Sequence, residues 1–115
     1  MTEGLDDTGR LAMLVVRLLD QTKASQIAWD RYDQRHAYVF STEDASVVVD
    51  TRDDDGSPPY RIRVFNQDGV AVSSAVSPQQ DGDEHPFAEL WQLARRSALK
   101  VDETLDGLLR KLGGN

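Results

Sequence analysis

The chain contains no cysteine. Disulfides, thiolate nucleophiles and thiolate-held metals are therefore excluded. Basic residues are the next shortage: Lys and Arg number 13 against 20 Asp and Glu, for a formal net charge of −7. A surface of that sign does not suit nucleic acid, whose phosphates demand cations. It suits an anionic membrane surface no better. Long apolar runs are missing as well. The longest, Leu11–Val16, is far too short to cross a bilayer. The opening residues MTEGLDD are acidic and polar, unlike a signal peptide. We expect a cytoplasmic protein that engages neither nucleic acid nor membrane.

Catalytic signatures are absent in the same way. Gly56, Gly69 and Gly82 are isolated, so there is no glycine-rich phosphate loop. Asp53-Asp54-Asp55-Gly56 looks like part of a calcium loop. With Gly56 at the sixth position, however, Thr51 and Ile62 would fall at the first and twelfth, where oxygen ligands are needed. Asp81, Asp83, Glu84 and His85 are the one cluster of metal-compatible donors, and the other histidine, His36, is distant in sequence. Ser73, Ser74 and Ser77 lie in no Gly-x-Ser-x-Gly context. The expectation is a non-enzymatic protein without metal or cofactor. A pair of carboxylates brought together by the fold is the remaining route to catalysis.

What the sequence does contain is one domain's worth of alternating and helical pattern over 115 residues. The stretch Tyr60–Val76 holds two strand-like runs around Asn66-Gln67-Asp68-Gly69. Asn first and Gly fourth predict a type I turn with a bulge at Gly69. Asn66 then closes on Val70. Counting outward pairs Val64 with Val72, Ile62 with Ser74 and Tyr60 with Val76. One face would carry Tyr60, Ile62, Val64, Val70, Val72 and Val76. The other would carry Arg61, Arg63, Phe65, Ala71, Ser73 and Ala75.

Residues 1–7 read as a frayed terminus. A helix follows to about Lys23, with Leu11, Leu14, Val15, Leu18 and Leu19 on one stripe. Met13 and Val16 widen that stripe and predict cover on more than one side. Ile27–Tyr32, Ala37–Thr42 and Ser46–Thr51 read as three strands, separated by turns at Asp33–Arg35 and Glu43-Asp44. Loops are expected at 53–59 and 77–86, both polar and flexible in composition. Trp29 and Trp91 read as core. Pro86 opens a C-terminal helical region in which Phe87, Trp91, Ala94, Ala98, Val101, Leu105, Leu108 and Leu112 recur at 4-3-4-3 spacing. This is one long helix or two, and a break near Lys100-Val101, with Asp102 capping the second, suits so small a sheet better.

The predicted fold is α+β: an N-terminal helix, a five-stranded antiparallel meander, and one or two C-terminal helices on one sheet face. In architecture alone this resembles small secretion-chaperone-type and bacterial immunity-type domains. No motif is shared, so no functional residue carries over. The Asp- and Arg-rich charge set, with 15 Asp and 10 Arg, resembles that of GC-rich bacterial genomes.

The functional expectation is a protein-interaction or regulatory module, homodimeric, using the open sheet face or the C-terminal helix. Arg61, Arg63 and Phe65 have interface composition. Arg95 and Arg96 on the C-terminal helix offer an anion pocket together with Arg61 and Arg63, or else a solvated helix face that balances the many acids. Leu108 and Leu112 are surplus to a small core. The alternative is a small-molecule or peptide cup between sheet and helices, lined by Tyr38, Phe40 and the tryptophans.

Overall fold

The structure, a computed structural model, describes residues 7–32, 36–78 and 85–113. Helix α1 spans Asp7–Lys23. Strands follow at Asp30–Arg31 (β1), Ala37–Ser41 (β2), Ala45–Thr51 (β3), Tyr60–Asn66 (β4) and Ala71–Val76 (β5). Helices α2, Pro86–Ala98, and α3, Val101–Gly113, complete the chain. The sheet order is β1-β2-β3-β4-β5, every neighbour antiparallel. This is the predicted α+β meander with two C-terminal helices.

The layers meet where the sequence periods require. On α1, Leu11, Val15, Leu18 and Leu19 are buried, and on α2 Ala88, Leu90, Trp91 and Ala94 are buried. They cover the sheet face that carries Tyr38, Val47, Val49, Tyr60 and Ile62. Each large side chain so buried contributes roughly 1.5–3 kcal/mol. Both tryptophans are core, and each finds a partner for its indole N–H. Trp29 Nε1 donates to Thr22 Oγ1 at 3.0 Å, and Trp91 Nε1 donates to the His36 carbonyl at 3.0 Å. The Trp29 backbone N–H also donates to Ser97 Oγ at 2.9 Å, which ties the entry to β1 to the end of α2.

The helix ends follow local chemistry. His85 caps α2, its Nδ1 accepting from the Phe87 N–H at 3.1 Å. At the end of α1, Ser25 adopts φ 60, Ser25 N donates to Thr22 O and Gln26 N donates to Gln21 O. That is a left-handed cap that satisfies the last carbonyls. Lys100, at φ 55, does the same for α2, and its N–H donates to Ser97 O at 3.2 Å. The chain then turns into α3. Asp102 is not the cap of α3. It lies in the first turn, and its Oδ1 accepts from Arg96 Nη2 across the corner.

Three further expectations are corrected. First, β1 holds two residues where Ile27–Tyr32 was predicted, because the chain before it serves the α1–α2 junction. Second, Met13 and Val16 stay exposed, so α1 is covered on one side. Third, the β4–β5 register shifts. Asn66 pairs with Val70 and Phe65 with Ala71 as expected, and Gly69 takes φ 80. Between Val64 and Phe65 a bulge then makes Val72 the extra residue, so Val64 faces Ser73, Ile62 faces Ala75 and Arg61 faces Val76. A one-residue slip exchanges the faces of a strand. Ser73 and Ala75 therefore turn towards the helices. Val70, Val72 and Val76 are about half exposed, at 56%, 55% and 47%. The pairing also runs on past β5: Ser77 is buried, its N–H donates to Tyr60 O, and its Oγ accepts from Tyr60 N.

Candidate interaction surfaces

The open sheet face is not a free patch of arginines. Asp50, fully buried, points to the side away from the helices, between Ala37 on β2 and Arg61 on β4. Arg61 Nε donates to Asp50 Oδ1 at 3.0 Å and Arg61 Nη2 to Oδ2 at 2.7 Å. Arg63 Nη2 adds a bond to Oδ2 at 2.8 Å. The fork of a guanidinium matches a carboxylate in this two-bond arrangement. The carboxylate holds Arg61 in its charged form, raising its pKa. The Arg63 guanidinium carbon also lies 5.7 Å from the centre of the Phe65 ring. Arg61, Arg63 and Phe65 are thus brought together as expected. The two arginines neutralise a buried acid.

The space between sheet and helices is occupied by side chains. Trp29 packs on Phe40 with ring centres 5.9 Å apart, Tyr38 on Trp91 at 5.9 Å, and Tyr60 on Trp91 at 5.4 Å. Burial pushes the Tyr38 phenol up, and the Arg95 guanidinium partly opposes that shift.

The loop at 53–59 wraps back on the sheet. Thr51 Oγ1 accepts from the N–H groups of Asp55 and Gly56 at 3.1 and 3.2 Å. Asp54 takes φ 53 and Gly56 φ 75. Asp54 Oδ1 accepts the His36 N–H at 2.8 Å, and His36 Nδ1 lies 2.9 Å from the Asp54 carbonyl. A groove of about 530 Å³ opens between this loop and α2, and Arg95 and Arg96 line it. The two arginines therefore sit together, away from the Arg61–Arg63 pair. The acidic cluster at Asp81, Asp83 and Glu84 lies outside the described residues. Among the described residues no group of three metal-binding side chains occurs, and no helix is long and apolar enough to cross a membrane.

Helix α3 differs from the rest of the molecule. None of its residues is buried, and among the described residues its main packing is against α2. Leu105, Leu108, Leu109 and Leu112 are exposed at 50%, 51%, 68% and 82%. Val101, Leu105, Leu108 and Leu112 continue the 4-3-4 spacing, so they form one stripe along the helix. Leu108 and Leu112 were legible in the sequence as surplus. Leu105 and Leu109 belong with them. Asp50 and the His36–Asp54 knot were missed: neither a lone acid at the end of a valine run nor a histidine in a turn carries a motif.

No protein-family model matches this chain, and no curated protein or solved structure matches it either.

Proposed function

We propose that the chain is a non-enzymatic, cytoplasmic interaction module that assembles as a homodimer through the apolar stripe of α3. The observation that carries this reading is the state of α3, a 13-residue helix with four exposed leucines and no buried residue. Helices of that length are marginal in water without tertiary cover. A leucine stripe is the usual source of such cover.

The partner is a second copy, aligned antiparallel, and the charges argue for it. Asp102, Glu103 and Asp106 occupy the first half of α3, and Arg110 and Lys111 the last turn. An antiparallel pair sets the acidic half of each helix beside the basic end of the other. It also lays Val101 opposite Leu112 and Leu105 opposite Leu108. A parallel pair would set like charges side by side. The arginines of the sheet face, already engaged by Asp50, support this choice of surface over that one.

Charge reversal tests it. A chain carrying Glu103→Lys and Asp106→Lys, and another carrying Arg110→Glu and Lys111→Glu, should each self-associate more weakly than wild type. Mixed, they should recover a dimer containing one of each. Two variants that dimerise alone as wild type does, or that fail to pair when mixed, contradict α3 as the interface.

A further inference from the structure

The groove beside α2 has the parts of a site for a small oxyanion. Among its lining residues are His36 and Gly56 on one wall, and Trp91, Arg95 and Arg96 on the other. Its volume, about 530 Å³, lies within the range of small-ligand pockets. Two arginines line it in a chain of net charge −7. The walls are locked to each other, because the Trp91 indole N–H donates to the His36 carbonyl. Arg95 follows Trp91 by one helical turn and so shares its side of α2.

The histidine decides which oxyanion. Its Nδ1 faces the Asp54 carbonyl at 2.9 Å. A carbonyl only accepts, so the ring proton sits on Nδ1. Nε2 is left over, and among the described residues nothing bonds it. It lies on the Gly56 side, where an added Cβ would come within 3.2 Å of Nε2 and Cδ2. The absence of a side chain at Gly56 therefore keeps this ring edge clear. Arg96 is shared with Asp102, an exposed pair that a stronger anion can displace. Asp55 is the acid of the groove, and its Oδ1 accepts the Ser57 N–H at 2.9 Å.

We infer that this groove binds the phosphate group of a small phosphate monoester, with Arg95 and Arg96 on its oxygens and His36 Nε2 on its hydroxyl. A monoester near neutral pH exists in part with one P–O–H. With its ring proton on Nδ1, His36 presents Nε2 as an acceptor for that hydroxyl. An ionised carboxylate has no such hydrogen to offer. The site does not depend on self-association, and it meets α3 through the Arg96–Asp102 pair.

The test is a titration of the full chain with phenyl phosphate at constant ionic strength, followed by amide and indole NMR, with inorganic phosphate and benzoate as parallel arms. The expected result is saturable shifts of the Trp91 indole and of the Gly56 and Arg95 amides. Arg95→Gln, at an exposed position, should weaken binding about tenfold, as loss of a charge-assisted bond does. Inorganic phosphate should shift the same signals, which isolates the phosphate group from its organic part. Benzoate should bind clearly more weakly than phenyl phosphate. The inference is overturned by shifts that do not saturate, by an Arg95→Gln protein that binds as wild type does, or by equal binding of benzoate. Gly56→Ala supplies a second variant: pressing on the ring edge, it should weaken binding while the amide spectrum elsewhere stays native.

Discussion

Asp50 and Arg61 hold each other through two parallel hydrogen bonds, at 3.0 and 2.7 Å, on the sheet face that no helix covers. Arg63 closes the third side of the same carboxylate. The acid is fully buried while both arginine side chains keep about a quarter of their surface. Taking away one member of such a set leaves the others desolvated without their partner. Asp50→Ala should lower stability by about 3–5 kcal/mol. Replacing Asp50, Arg61 and Arg63 together with apolar residues of similar size should restore most of it. Urea denaturation of the single and triple variants checks both statements. A loss of under about 1 kcal/mol for the single change would mean that the cluster is only a surface ion pair.

The β4–β5 turn gives a prediction of a different kind. Gly69 has φ 80, and a Cβ added there meets nothing within 4 Å. Gly69→Ala should therefore cost about 1–2 kcal/mol, all of it backbone. Gly69→Asn should cost less, because Asn tolerates this region better. Thermal melts of the two variants order them. Equal melting temperatures would show that the turn is not held in this conformation.

Stability at alkaline pH follows from Tyr38. Its pKa is raised above the usual 10.0, chiefly by burial, so the neutral phenol is favoured in the folded chain. Below pH 10 the phenol is protonated folded or unfolded, and that contribution is complete. Between 10.0 and the folded value the unfolded chain loses the proton first. Stability then falls as pH rises. Lys23, raised above 10.5 by its bond to Glu89, acts in the same direction as pH rises beyond 10.5. Tyr38→Phe should flatten the fall in urea midpoint between about pH 9 and pH 11. An unchanged slope would assign the alkaline loss to other groups.

Local patterns made most of the architecture legible. The helix stripe from Leu11 to Leu19, the Asn66–Gly69 turn and the 4-3 spacing after Pro86 each report on neighbours close in sequence. The meander then follows from short links between antiparallel strands. The bulge at Val72 left no comparable trace. Outward counting from Asn66 and Val70 assumes an unbroken ladder, and β5 is too uniform in Ala, Val and Ser to fix its own register. The surfaces divide the same way. Leu108 and Leu112 stood out because a helix stripe outran the core available to cover it. Asp50 stayed hidden because its partners, Arg61 and Arg63, become its neighbours only when β3 pairs with β4. The groove at His36 depends on a loop that folds back through Thr51, and no linear pattern marks that.

Sedimentation equilibrium tests the central claim most directly. Wild type should sediment at twice the 12.8 kDa mass of the single chain. Leu108→Asp and Leu112→Asp, both at exposed positions, should shift it to single chains. A wild-type protein that stays at 12.8 kDa at high concentration, or leucine variants that sediment as dimers, would contradict assembly through α3.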